Sequence, residues 1–427
     1  MEIYLKDIRV VNPYQNIDSK YNILIRDGVI TYFGKEPVEV TPEVKIINGE
    51  PLVCAPGLFD MHVHFRDPGQ TYKEDLNSGV DAAANGGFTG VLVMPNTVPP
   101  IDNLQVVEYI KSKTQNSIVN VFISAGITKG LEGENITSMN SLANAGVVMF
   151  TDDGNTVLNS EIMRRAFDYV SQFDYLIAQH CEDYNLTKNF AANEGAVATK
   201  LGLQGYPNVA EEIILVRDIL LAEYCGNRRY HAQHISTKGS VEIIKRAKEK
   251  GLRITCEVTP HHLVLTDSYV ETYDTNFKMN PPLRSQDDID ALIEALKNDI
   301  IDCIVSDHAP HASHEKDVEF EKAPNGVIGL ETTLGVCLTY LYHTGQISLS
   351  KLIEKMSVNP RNILRLPPII FKEGEMANMT IFSLDDEWIV DKQFFKSKSK
   401  NTPFDGFKLK GKPRFIINNR KFFASKL

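Results

Sequence analysis

Between residues 60 and 67 the chain reads Asp-Met-His-Val-His-Phe-Arg-Asp, at the end of an apolar run with a strand's composition. Side chains two apart on a strand share a face, so His62 and His64 point together, and two neutral imidazoles so placed form half of a metal chelate. Asp153, His180, His234 and Asp307 each follow a later apolar run. Four imidazoles with two carboxylates suit Zn2+ or a similar first-row ion; Ca2+ and Mg2+ prefer all-oxygen shells. The set exceeds what one tetrahedral ion needs. Two ions sharing Asp153 and a bridging hydroxide would use all six, and such a pair brings the pKa of bound water toward about 7. One or two ions fit, with two favoured. His314-Glu315 does not extend to H-E-x-x-H, because Val318 occupies the last position. His231 is expected to face away from His234 by strand alternation, and His261 and His262 to shape a loop.

Ligands so far apart in sequence need a scaffold that gathers them. Eight runs read as strands, at 52–64, 87–96, 118–128, 147–153, 175–183, 229–237, 253–262 and 302–311, and the segments between several of them have helical periodicity. Thr71 and Glu74 have capping-box spacing ahead of the first such helix. The polar residues recur at the strand ends, and in a (β/α)8 barrel those ends converge on one rim, whereas an open doubly wound sheet would not bring its first and last strands together. Residues 1–53 and 367–427 read as strands without helices, including an Asp27-Gly28 hairpin signal. The expectation is an α/β fold: a TIM-like barrel over 54–366 with a small β-sandwich domain assembled from the N- and C-terminal segments.

Composition narrows the partners. A formal charge of -10 argues against general nucleic-acid or anionic-membrane binding, and 43% hydrophobic with 23% charged residues is ordinary for a folded enzyme. The six scattered cysteines form no C-x-x-C pair and suit buried, reduced thiols. With no basic-then-apolar leader and no apolar run of about 18 residues, the sequence predicts a cytoplasmic protein.

Asp60-Met-His-Val-His-Phe-Arg-Asp-Pro-Gly69, together with Ser306-Asp-His-Ala-Pro-His311 and Lys316, resembles the two signatures of dihydroorotases, within the cyclic amidohydrolase superfamily. The likeness spans essentially the whole chain. It implies a metal-dependent barrel that hydrolyses or closes the ring amide linking dihydroorotate and N-carbamoyl-aspartate in pyrimidine synthesis. It also implies that His62, His64, Asp153, His180, His234 and Asp307 form the metal shell, with Asp307 carrying the proton. The family's spacing to His180 selects Asp153 over Asp152.

The resemblance further gives Arg66, Asn96, Asn280 and His311 as binders of the substrate carboxylate and ring amide, with Asn325 and Gly326 contributing through the backbone. These side chains suit such a substrate, since guanidinium forks onto carboxylate and asparagine offers both donor and acceptor to an amide. Val305, Asn325 and Asn378 depart from the family pattern without removing a ligand. Hydantoinases and allantoinases are the nearest alternatives; they typically bridge their metals with a carboxylated lysine from the fourth strand, which here ends in Asp152 and Asp153. A noncatalytic scaffold for aspartate carbamoyltransferase is a further alternative, expected to have lost ligands that this chain keeps. A homodimer, or association with aspartate carbamoyltransferase, is compatible with the resemblance.

Overall fold

The alternating N-terminal segments become β1 (Glu2–Asn12), β2 (Ile17–Arg26), β3 (Val29–Gly34), β4 (Lys45–Asn48) and β5 (Leu52–Pro56) in a computed structural model that describes residues 2–427. Asp27 and Gly28 join β2 to β3 at φ 47° and 79°, the left-handed geometry a two-residue hairpin requires.

The apolar runs that follow are β6 (Leu58–Val63), β7 (Phe88–Val93), β8 (Asn120–Ala125), β9 (Val147–Phe150), β10 (Ile177–Gln179), a short accessory pair β11 (Ala192–Asn193) and β12 (Gly205–Tyr206), then β13 (Tyr230–Ala232), β14 (Ile254–Val258) and β15 (Cys303–Ile304). Apart from the accessory pair they run parallel in the order β6-β7-β8-β9-β10-β13-β14-β15. Val63 bridges to His308, and His64 N donates to His308 O at 2.8 Å, so the eighth unit returns to the first at the C-terminal rim. Phe59, Met61, Leu92, Met94, Met149 and Ala178 fill the barrel, while a larger apolar cluster packs the strands' outer faces against the helices. These are the two faces that strand alternation provides.

The run at 52–64, expected as one strand, is two. Gly57 separates them at a close backbone crossing, where a Cβ would stand 2.0 Å from both Asn378 Oδ1 and Thr89 Oγ1. β5 pairs with β1 and with β16 (Met379–Ile389), whereas β6 enters the barrel. With β17 (Lys408–Asn418) and β18 (Lys421–Ala424), the two chain ends meet in one eight-stranded sheet, β18-β17-β16-β5-β1-β2-β3 with β4 on β1. Its own core joins Ile3, Ile23, Cys54, Phe371, Met379 and Ile417, so residues from both termini bury one another.

The first barrel helix, Leu76–Asn85, is capped by Asp75 with Ser78 and not by Thr71 with Glu74. Glu74 is instead fully buried and accepts from the Ser397 hydroxyl and Lys398 N, which ties the C-terminal segment to the barrel rim. All six cysteines are free and buried, and among the described residues no helix is long and apolar enough to cross a membrane.

Candidate active site

The residues that gather at the rim come from strand ends where alternation breaks down. The β6–β7 ladder is irregular between Asp60 and Val63, and such bulges re-aim side chains. Arg66, His234 and Asp307 sit at φ 58°, 30° and 46°, left-handed conformations that cost a non-glycine residue on the order of 1–3 kcal/mol each and concentrate at functional sites. Asp60 holds the bulge: its Oδ1 accepts from His62 N at 3.1 Å and its Oδ2 from Ser306 N at 3.0 Å, while burial pushes its carboxyl up to about 7.

A cavity of about 260 Å3 opens here, lined by His64, Asp153, His180, His234 and Asp307 together with Arg66, Asn96, Asn280, His311, Asn325 and Gly326. His62 lies fully buried against His64 and His234, with ring centroids 5.2 Å from each. The residues named for the metal shell and for the substrate therefore meet at one place.

Asp153 stands at the centre with its two oxygens facing opposite ways. Oδ2 is 3.3 Å from His62 Nε2 and 3.5 Å from His64 Nε2; Oδ1 is 3.5 Å from His234 Nε2 and 3.8 Å from His180 Nδ1. Asp307 Oδ1 lies 3.1 Å from His64 Nε2 and 3.5 Å from His62 Nε2. Burial pushes the Asp307 carboxyl up, but the neighbouring imidazoles of His62 and His64 outweigh it and hold the group below the usual carboxylate range. Asp152 turns away to accept from Thr128 N and the Thr128 hydroxyl.

Second nitrogens fix the rings. His62 Nδ1–H donates to Glu257 Oε1 at 2.5 Å, His64 Nδ1–H to Asn96 Oδ1 at 2.8 Å, and His180 Nε2–H to Glu182 Oε2 at 2.9 Å. Assigned from these partners, the tautomers leave His62 Nε2, His64 Nε2 and His180 Nδ1 with lone pairs aimed into the cluster, the usual arrangement around a bound metal. His234 Nδ1 and Asp153 Oδ1 are buried with no hydrogen-bond partner. Three groups with donor atoms within 4.8 Å of one another, His62/His64/Asp153, His62/His234/Asp307 and Asp153/His180/His234, could hold an ion.

Arg66 forms no ion pair with Asp67. Its Nε donates to Pro310 O at 3.2 Å, and the buried guanidinium is pushed below its ordinary pKa by desolvation. Asp67 instead accepts from Tyr109 Oη and Leu76 N. Asn280 Nδ2 donates to Glu182 Oε2 at 2.8 Å, which leaves its buried Oδ1 as an unpaired acceptor. His311 Nε2–H donates to Asn325 O at 2.9 Å, and burial, with the nearby charge of Arg66, pushes the ring down to about 3, so it is neutral. Gly326 is at φ 129°, where a Cβ would come within 2.9 Å of Ala309 Cβ.

His231 does not face away from the site. Fully buried below it, the ring donates Nε2–H to Glu257 Oε2 at 3.1 Å, because alternation stops at Ala232 and His234 turns on its own positive φ. His262 shapes the loop as expected, contacting Thr259 Oγ1 and Pro281 O. The polar segment 315–326 is pinned here: Lys316 Nζ donates to Thr275 O, Lys278 O and Pro324 O, and Lys278 Nζ to Glu321 O and Ala323 O.

Sequence reasoning missed three supporting residues. Glu257 and Glu182 had signals, an acid inside the apolar run ITCEV and an acid two residues after His180. Asn401 had none. It reaches in from the C-terminal segment, donating to Ala309 O and Gly326 O and accepting from His311 N, each at 3.1 Å.

A parallel eight-stranded barrel with a histidine–carboxylate cluster on its C-terminal rim, joined to a sheet built from both termini, defines a cyclic amidohydrolase. Residues 52–240 match the dihydro-orotase-like family model. Dihydroorotase from Syntrophus aciditrophicus is 44% identical over 413 residues, covering 96% of each chain, and that from Acetivibrio thermocellus is 45% identical over 416 residues, covering 97% of each. The chain belongs to the dihydroorotase family. Among solved structures, L-hydantoinase (dihydropyrimidinase) from Arthrobacter aurescens superposes with a TM-score of 0.87 at 26% identity over 100% of this chain and 96% of its own. Dihydropyrimidinase from Brevibacillus agri NCHU1002 gives 0.86 at 19% identity over 100% and 95%, a likeness of fold.

Proposed function

We infer that the protein catalyses the reversible, metal-dependent interconversion of dihydroorotate and N-carbamoyl-aspartate. The observation that carries this is the position of Asp153, whose carboxylate spans the two histidine pairs where hydantoinase-type sites use a carboxylated lysine. Among the described residues no lysine lines that cavity.

The donor set fits a metal. Asp153 Oδ1 is a buried carboxylate oxygen with no hydrogen-bond partner, and imidazole nitrogens converge around it, an arrangement a bound cation would stabilise. His62, His64, Asp153 and Asp307 would hold one ion and Asp153, His180 and His234 a second, with Zn2+ the expected metal. When bound, the ions supply Lewis acidity for the ring carbonyl and make a nucleophilic water available near neutral pH.

The remaining steps belong to the chain. Arg66, buried and forming no ion pair among the described residues, receives the substrate carboxylate. The amide nitrogen of Asn96 and the free Oδ1 of Asn280 take the ring amide, and His311, Asn325 and Gly326 wall the far side. Asp307 Oδ1 faces His64, and the Asp307 carboxylate takes the proton of the attacking water and passes it to the leaving ring nitrogen. In cyclisation the same oxygen starts protonated, so that direction is favoured at lower pH.

A panel of dihydroorotate, hydantoin and allantoin tests the reading: turnover confined to dihydroorotate is expected, and preferential turnover of either other amide would overturn it. A cytoplasmic homodimer, or a complex with aspartate carbamoyltransferase, is the assembly the family likeness proposes; size-exclusion chromatography with and without that partner is the check.

A further inference from the structure

The opposite end of the barrel carries a second polar cavity, of about 360 Å3, walled by Arg229, Arg253 and Arg365. Arg229 and Arg253 immediately precede β13 and β14, which places them at the N-terminal rim, a full strand length from the metal cluster. Its volume falls in the range of small-molecule sites, about 300–1,000 Å3, and exceeds that of the catalytic cavity.

Its charge is not balanced. Two of the guanidiniums share one carboxylate, Arg253 gripping Asp174 with both Nη atoms at 2.7 Å and Arg365 Nη2 donating to Asp174 Oδ2, while Arg229 donates to the backbone carbonyls of Asp174 and Ile363. The acid that lines the cavity, Asp302, is already neutralised by Lys248 at 2.7 Å from both oxygens and accepts from Cys256 N. Burial, reinforced by Arg365, pushes Arg229 down to about 10, the response of a cation short of counter-charge. A rim that only needed locking would be served by one arginine per acid. In a chain of net charge -10, three guanidiniums set against the single carboxylate of Asp174 leave an excess of positive charge that attracts anions.

We propose that this cavity is a second binding site, for the phosphoryl group of a small phosphorylated organic molecule. The excess guanidinium charge suits an anion with several oxygens, and Leu176, Ile254 and Ile363 supply an apolar wall for its organic part. No residue of the site takes part in the amide chemistry, so it adds a ligand to the protein without altering the reaction.

The test is calorimetric titration of the metal-loaded full chain, at fixed ionic strength, with ribose 5-phosphate and with inorganic phosphate. Saturable binding is expected for both, tighter for the sugar phosphate. Arg253→Gln and Arg365→Gln should each weaken it about tenfold or more, while dihydroorotate turnover stays unchanged. Arg66→Gln, in the catalytic cavity, should leave this binding intact. The Arg365 side chain is 53% exposed, so its variant should keep the native melting temperature and serves even where Arg253→Gln fails to fold. No saturable heat, equal affinity for the two ligands, binding that survives both substitutions, or binding lost in Arg66→Gln would each overturn the proposal.

Discussion

The two histidine pairs on either side of Asp153 are held by different means. His62 and His64 both have their second nitrogen engaged, by Glu257 and Asn96, with His62 in the bulge of β6 and His64 directly after the strand, where its N donates to His308 O. His180 is braced by Glu182, but His234 has an unpartnered Nδ1 and owes its direction to a backbone at φ 30°. One pair is oriented by side-chain hydrogen bonds on a ladder and the other partly by strain. Pre-oriented ligands lose less freedom on binding, so the ion on the His62/His64 side should be the tighter of the two.

The largest effect expected from breaking this arrangement is at the residue common to both sides. Asp153→Ala should lower bound metal below one ion per chain and abolish dihydroorotate hydrolysis; near-native metal content by elemental analysis would show that Asp153 does not bridge. Asp307→Asn should separate chemistry from metal binding, keeping metal while lowering kcat on the order of a hundred- to ten-thousandfold, the usual worth of a general acid–base. In the wild type, hydrolysis uses the ionised Asp307 and cyclisation the protonated form. Rates measured from both directions should therefore cross, hydrolysis rising and cyclisation falling with pH.

Glu257→Gln and Glu182→Gln probe the two sides separately, each expected to cost about 10- to 100-fold in metal affinity or activity. Competition with a chelator should show Glu257→Gln loosening the tighter ion and Glu182→Gln the weaker. The smallest effect is expected for Asn401→Ala, which leaves metal content alone and raises KM for dihydroorotate by about three- to tenfold through loss of hydrogen bonds behind His311 and Gly326. A fall in kcat with unchanged KM would place Asn401 elsewhere in the mechanism.

The difference between the two sides also shows what the sequence could and could not disclose. His62 and His64 were legible because their spacing matches strand periodicity, and the barrel because polar residues recur at the ends of apolar runs. His231 was misdirected because alternation stops where the strand does, and the positive φ at His234 has no sequence mark in a non-glycine residue. The split at Gly57 was hidden inside a continuous apolar run, since both sheets ask for the same residues. Asp75 displaced Thr71 as helix cap because the rim recruits Glu74 for the distant Ser397 and Lys398. Asn401 acts entirely through contacts between residues about 75 to 90 positions apart, which local patterning does not register.

The most direct test of a carboxylate-bridged pair of ions in a dihydroorotase is stepwise reconstitution. Metal-free protein would be titrated with Zn2+ while bound metal and dihydroorotate hydrolysis are followed together. Two ions per chain, taken up in two resolvable steps with full activity reached only at the second, is the predicted result. Full activity with a single ion, or no dihydroorotate hydrolysis at any loading, would contradict it.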